Sequence, residues 1–190
     1  LNLASGAKLV DNHYTAVNVG SNSILNMSGG EIKGNTVAQS GGGAVSVHGG
    51  TLNLTGGTIC ENQATQYDGG GIYVNNGTLN LNGGEIKDNT AVGAGGGVCF
   101  LGAGELTLNG TNITGNTARC GGGIYIEGMS GTATLTMKRG EISGNKLALL
   151  HDGDGWPYMA DGAGICAYHG TNSTATVVDI QGGTIRDNTA

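Results

Sequence analysis

The sequence predicts an all-β chain wound as a parallel β-solenoid, with three short strands per turn of 27 residues. Three observations carry this. First, the motif I-x-x-N, or L-x-x-N at its first occurrence, returns at Leu9/Asn12, Ile32/Asn35, Ile59/Asn62, Ile86/Asn89, Ile113/Asn116, Ile142/Asn145 and Ile185/Asn188. Successive Asn spacings are 23, 27, 27, 27, 29 and 43, so a 27-residue unit repeats and two later units carry insertions. Second, each unit holds three short patterns in which apolar residues alternate with others, the periodicity of strands. Third, Gly reaches 40 residues against a single Pro, and returns at fixed places beside aliphatic pairs, where the backbone itself needs it.

Taken in order, the first strand of each unit is L-x-L or its equivalent: Leu25/Met27, Leu52/Leu54, Leu79/Leu81, Leu106/Leu108, Leu135/Met137 and Val178/Ile180. After a corner, usually Gly-Gly, the second strand is built around the Ile of I-x-x-N and ends at the Asn, commonly continuing N-T-A. A Gly-rich corner follows, at Gly42-Gly43-Ala44, Gly69 to Gly71, Gly95 to Gly97, Gly121 to Gly123 and Gly162-Ala163-Gly164. The third strand then pairs Val45/Val47, Ile72/Val74, Val98/Phe100, Ile124/Ile126 and Ile165/Ala167.

Strands of about five residues joined by tight corners close a triangular coil, each stacked about 4.8 Å from its counterpart in the next turn. Alternation sends the paired aliphatics inward as continuous columns and the intervening residues outward. One unit cannot bury its apolar face alone, so only the stack is stable. Gly-rich corners leave no window for a helical period. The exception is residues 146–160, KLALLHDGDGWPYMA, where a short helical turn is expected before Asp152-Gly153. The chain reads as one solenoid segment, 1–190, with an insertion loop at 146–161. Both ends fall inside a repeat, so it is expected to be a piece of something longer.

The repeated Asn predicts a second ordered feature. Asn tolerates left-handed backbone, and its amide can hydrogen-bond the same residue one turn away. Asn35, Asn62, Asn89, Asn116 and Asn145 are therefore expected to stack as a ladder that satisfies polar groups at a buried bend.

The formal charge of −6, without any Lys/Arg cluster, excludes nucleic acid as a partner. No run of 18 apolar residues exists for membrane insertion by this segment, and no basic-then-apolar stretch opens the chain as a signal peptide would.

The paired motifs I-x-x-N and GG[GA][IV], as in Ile113-Thr114-Gly115-Asn116 followed by Gly122-Gly123-Ile124, resemble the repeats of polymorphic outer membrane proteins. Those are written F-x-x-N and GGA[ILV], and form the passenger β-helices of autotransporter adhesins; Gly42-Gly43-Ala44-Val45 matches the second motif most closely. Ile or Leu stands here where that family has Phe. Similar repeats occur in large bacterial surface proteins with right-handed parallel β-helix or pectate-lyase-like repeats. The resemblance implies right-handed winding, an extracellular location on a bacterial cell surface, and adhesion.

Calcium-binding nonapeptide repeats need a nine-residue step, which a 27-residue period does not provide. A polysaccharide lyase or glycoside hydrolase needs carboxylates converging on a groove. The outward positions of the first strand instead hold Asn53, Asn80, Thr107, Thr136 and Asp179; those of the second hold Glu31, Glu85, Glu141, Lys33 and Lys87, a solvated pattern. A flat Thr/Asn array for ice binding is interrupted by Glu105, Lys138 and Asp179.

Two places stand out for ligand binding. In the insertion, His151, Asp152, Asp154, Trp156 and Tyr158 include the only Trp and lie beside the only Pro. Trp156 and Tyr158 suit stacking on a sugar or a partner surface, with the aspartates as acceptors or weak calcium ligands; the plain alternative is a Trp folded over a stack edge. On the third strand the outward column Ser46, Tyr73, Cys99, Tyr125 and Cys166, with Tyr168 beside it, sets two tyrosines two turns apart, about 10 Å, to grip a linear glycan or merely to cover the sheet. All four cysteines are expected to be free thiols: Tyr125 separates Cys99 from Cys166, Cys60 lies on the second strand, and Cys120 precedes a Gly corner four aligned positions from the Cys99 column.

The resulting expectation is a non-catalytic, adhesin-like segment that serves as stalk and binding surface for a host glycan or surface protein, with end-to-end solenoid contacts possible. No catalytic residues, metal or cofactor are assigned. The alternative is a fragment of a polysaccharide lyase or glycoside hydrolase of pectate-lyase-like fold.

Overall fold

A computed structural model describes residues 1–39, 41–148, 161–170 and 174–190. All regular structure among them is strand, and every strand pairing is parallel. The aligned motifs stack in register: Leu25 with Leu52, Ile32 with Ile59, Ile59 with Ile86, Val98 with Ile124. This follows from side-chain alternation, because a slip of one residue would turn every buried aliphatic outward.

The inward columns form one core. The first-strand pairs from Leu25/Met27 to Leu135/Met137, the isoleucines 32, 59, 86, 113 and 142, and the third-strand pairs from Val45/Val47 to Ile124/Ile126 are fully buried. The only Phe, Phe100, fills the place that Val74 and Ile126 occupy in the neighbouring turns. Val178, Ile180 and Ile185, on the last turn of the stack, are exposed.

Three departures from the expected turn have physical reasons. Strands run through corners: Ile24–Lys33 and Thr51–Cys60 each join first and second strands, and Val98–Thr114 joins all three. The bend is taken up by register shifts, as between Leu108 and Asn109, and not by a break in pairing. A fourth ladder also exists. Thr36–Val37, Gln63–Ala64, Thr90–Ala91, Thr117–Ala118 and Lys146–Leu147 pair into a separate five-stranded sheet. Ala64, Ala91 and Ala118 form a small core of their own, which is why the N-T-A motif ends in a small apolar residue. Lys146 and Leu147 therefore pair as a strand of the regular turn, and the expected helical turn beyond Ala148 lies outside the described residues.

The third departure concerns the Asn column. Left-handed backbone falls one residue earlier than expected, at Asp11, Gly34, Glu61, Asp88, Gly115, Gly144 and Asp187, the third position of I-x-x-N. The Asn that follows is chosen for its amide alone. Asn12, Asn35, Asn62, Asn89, Asn116, Asn145 and Asn188 stack with each Nδ2 donating to the Oδ1 of the next turn, at 2.6 to 3.0 Å. The same Oδ1 accepts the backbone N–H of the preceding rung at 3.0 Å. From Asn35 onward Nδ2 also donates a proton to a carbonyl of the earlier turn, as from Asn89 to Ile59 at 3.0 Å. Asn35, Asn62, Asn89, Asn116 and Asn145 are fully buried, and each amide has all its partners. The third Gly of the corner packs on this column. A Cβ at Gly97 would lie 2.7 Å from the Gly123 carbonyl oxygen and 3.1 Å from Asn116 Nδ2.

Candidate functional site

The outer side of the third-strand sheet carries two parallel columns. Ser46, Tyr73, Cys99, Tyr125 and Cys166 are in register, and two residues further along each strand so are His48, Asn75, Leu101, Glu127 and Tyr168. Residues two apart share a face, so the columns lie side by side.

The first column is not open to solvent as the alternation alone predicts. Ser46, Cys99 and Cys166 are buried, while Tyr73 and Tyr125 are half-buried. The cause is the Gly corner before each third strand. A positive φ at Gly42, Gly69, Gly95, Gly121 and Gly162 folds the chain back across its own strand. A Cβ at Gly95 would sit 2.6 Å from the Cys99 backbone nitrogen, and one at Gly41 the same distance from the Tyr73 ring. The corner roofs the small residues of the column and leaves the tyrosine rings emerging past it.

Those rings form two separate pairs. Tyr73 leans toward the earlier turn and meets His48, ring centroids 5.9 Å apart and planes at 49°. Tyr125 leans toward the later turn and stacks on Tyr168, at 6.2 Å and 29°. Half-buried Asn75 and Leu101 occupy the strip between them. Tyr125 donates its hydroxyl to Glu127 Oε2 at 2.9 Å, and Ser46 Oγ contacts His48 Nε2 at 2.9 Å. Burial raises the Tyr73 hydroxyl to about 12, with the neighbouring Cys99 and Asp68 adding to it. Burial likewise raises the Tyr125 hydroxyl, reinforced by its bond to Glu127. Both remain neutral donors through the physiological range. The strip thus presents flat aromatic faces along an axis set by the stack, with Glu127, itself buried, engaged by the Tyr125 hydroxyl.

His48 and Glu127 are the residues that sequence reasoning missed. The signal was present, since each stands two places after a residue already assigned outward on an alternating strand. The predicted insertion residues His151, Asp152, Asp154, Trp156 and Tyr158 lie outside the described residues. The segment leaves from Ala148, whose N–H bonds the Ala118 carbonyl, and returns at Asp161, whose carbonyl accepts from Gly121. Its two anchors thus flank the roof over Tyr125.

Among the described residues the other faces present no convergent chemistry. On the second strand Lys33 pairs with Glu61 at 3.0 Å, Lys87 with Glu85 at 2.7 Å and Arg186 with Glu141 at 2.7 Å, all solvent-accessible ion pairs. On the first strand Asn26, Asn53 and Asn80 each donate Nδ2 to the Asn of the preceding turn, at 2.8 to 2.9 Å, the series beginning at Asn2. Among the described residues no three His, Cys, Asp or Glu come together as a metal site, and no helix is long and apolar enough to cross a membrane.

The thiols are arranged differently from the expected separation. All four are free, but Cys120 and Cys166 are neighbours, with sulfurs 2.9 Å apart. Gly121, with φ of 61°, folds Cys120 over the outer column, which an alignment of positions along the chain does not reveal. Cys60 and Cys99 are buried, and burial pushes both thiols up.

Stacked parallel ladders, a continuous aliphatic core and a patterned outer strip define the class of protein: a β-solenoid that presents side chains laterally along its length. The family model for the right-handed β-helix region matches residues 3–189. The chain belongs to the right-handed β-helix family, and its winding is right-handed. Neither the curated proteins nor the solved structures gave a significant match.

Proposed function

We propose that this segment is a non-catalytic, adhesin-like binding surface and stalk, displayed outside a bacterial cell, whose ligand is a glycan or a surface protein bearing one. The observation that carries the reading is the strip of His48, Tyr73, Tyr125 and Tyr168 with Glu127 between the last two. Aromatic faces stack on the apolar faces of sugar rings, and the exposed His48 with half-buried Asn75 beside them supplies polar contacts that orient them, while buried Glu127 fixes the Tyr125 ring. A rigid stack holds these groups at spacings set by the 4.8 Å rise, so little ordering cost falls on binding. Glu85 and Glu141 on the second-strand face, and Glu61 just after it, are engaged with Lys or Arg in surface ion pairs. The same strip would suit a glycan-cleaving enzyme only if Glu127 worked with a second acidic group.

A glycan array probed with the wild-type chain and with a Tyr73→Ala/Tyr125→Ala double variant tests this. Retention of a defined set of glycans by the wild type, lost by at least tenfold in the variant while its thermal melt stays two-state, supports the reading. New reducing ends or unsaturated products from acidic polysaccharides, with or without calcium and abolished by Glu127→Gln, would replace it with the enzyme reading.

A further inference from the structure

We propose that Cys120 and Cys166 form a modification site, a reversible disulfide that ties the corner of one turn to the third strand of the next. Three observations support it independently of any role in ligand binding. The sulfurs are 2.9 Å apart, so bond formation needs an approach of about 0.9 Å to reach the usual ~2.05 Å. The two thiols differ in access. Cys120 is half-exposed and its sulfur also contacts the Asp161 carbonyl at 3.4 Å, whereas Cys166 is only 6% exposed. Finally, the other two thiols are less exposed than either partner. Cys60 lies on the second-strand face, and Cys99 is fully buried under the roof.

The chemistry is thiol–disulfide exchange with a low-molecular-weight disulfide such as oxidised glutathione. Cys120, the accessible sulfur, attacks as its thiolate. One sulfur–sulfur bond of the oxidant breaks, one glutathione leaves as a thiol, and Cys120 carries the other as a mixed disulfide. Cys166 then loses its proton to solvent, its sulfur attacks Cys120 Sγ, and the second glutathione leaves. The chain loses two protons and two electrons, and the oxidant is reduced to two thiols. The electrostatics suit this division of labour. The hydrogen-bonded contact with Cys166 holds the Cys120 thiol below its ordinary value, and the same contact pushes Cys166 up.

The bridge would close a loop across a separation of 46 residues that contains the whole insertion. It would also pin the strand Ile165–Tyr168, which supplies Tyr168 to the aromatic pair. Oxidation therefore fixes the corner at Asp161, where the insertion returns, against the third strand.

The experiment incubates the native, reduced chain with oxidised glutathione, alkylates the remaining thiols, digests without reduction and maps peptides by mass spectrometry. The expected result is one linked peptide joining Cys120 to Cys166, with Cys60 and Cys99 alkylated only after unfolding. The melting temperature should rise by roughly 5–10 °C, revert with dithiothreitol, and show no such rise in Cys120→Ser. Cys60→Ser/Cys99→Ser should still form the bridge. A persistent glutathione adduct on Cys120 with Cys166 still reactive, a bridge to Cys60 or Cys99, or four unmodified thiols would each overturn the proposal. Cys120→Ser changes a half-exposed position and should fold even if Cys166→Ser does not.

Discussion

Two asparagine ladders run along this molecule, and they are built from the same side chain at the same spacing. The ladder from Asn12 to Asn188 lies inside the bend after the second strand. The ladder from Asn2 through Asn26 and Asn53 to Asn80 lies on the outer first-strand face. In the buried one each amide takes part in four hydrogen bonds, two donated and two accepted, and Asn persists at every turn. In the outer one each rung gives a single amide bond to its neighbour, and after Asn80 the column continues as Thr107, Thr136 and Asp179. What separates them is water. A lost outer bond is replaced by solvent, whereas a lost inner one strands donors and acceptors in the interior. Recurrence of a polar residue in a repeat thus reports burial more than it reports chemistry.

The sharpest way to break the comparison is Asn89→Leu. It leaves the Asn62 N–H and Nδ2 without their acceptor, and removes a donor from the Ile59 carbonyl and from Asn116 Oδ1. A loss of about 3–5 kcal/mol is expected, read as a shift in the urea midpoint. Asn188→Ala acts on a half-buried rung of the last turn, where solvent can take over part of the bonding; it should cost about 1–2 kcal/mol by the same measurement. The smallest effect belongs to Asn53→Ala on the outer ladder, within about 0.5 kcal/mol. If Asn53→Ala cost as much as Asn89→Leu, burial would not be what distinguishes the two.

The parts of this fold that depend on counting were legible in the sequence. Register follows from the 27-residue step, so the inward columns and the ladder rungs Asn35 to Asn145 could be named before any coordinates. What counting does not reveal is the path between strands. The left-handed residue sits at Asp88 and not at Asn89, because the chain turns one bond before the amide is presented inward. The corner at Gly95 crosses back over its strand, so Cys99 is covered although alternation points it outward. For the same reason Cys120 reaches Cys166, a pairing invisible to an alignment that treats each turn as a flat string. At the candidate site the tyrosines were visible as a column, but their partners His48, Tyr168 and Glu127 depend on which way each ring leans, and that is decided by the roof.

The buried ladder also has a polarity, since in every contact between rungs the amide of the earlier turn donates and that of the later turn accepts. Any turn can therefore be spliced to any other, provided that the join falls at the same rung. Removing residues 63–89 would bring Asn62 directly to Thr90 and set it beside Asn116, donor facing acceptor as before. Deletion or duplication of a whole turn is therefore expected to preserve the buried ladder. A change of a few residues inside I-x-x-N has no such route, whereas the span after Lys146–Leu147 has already absorbed one.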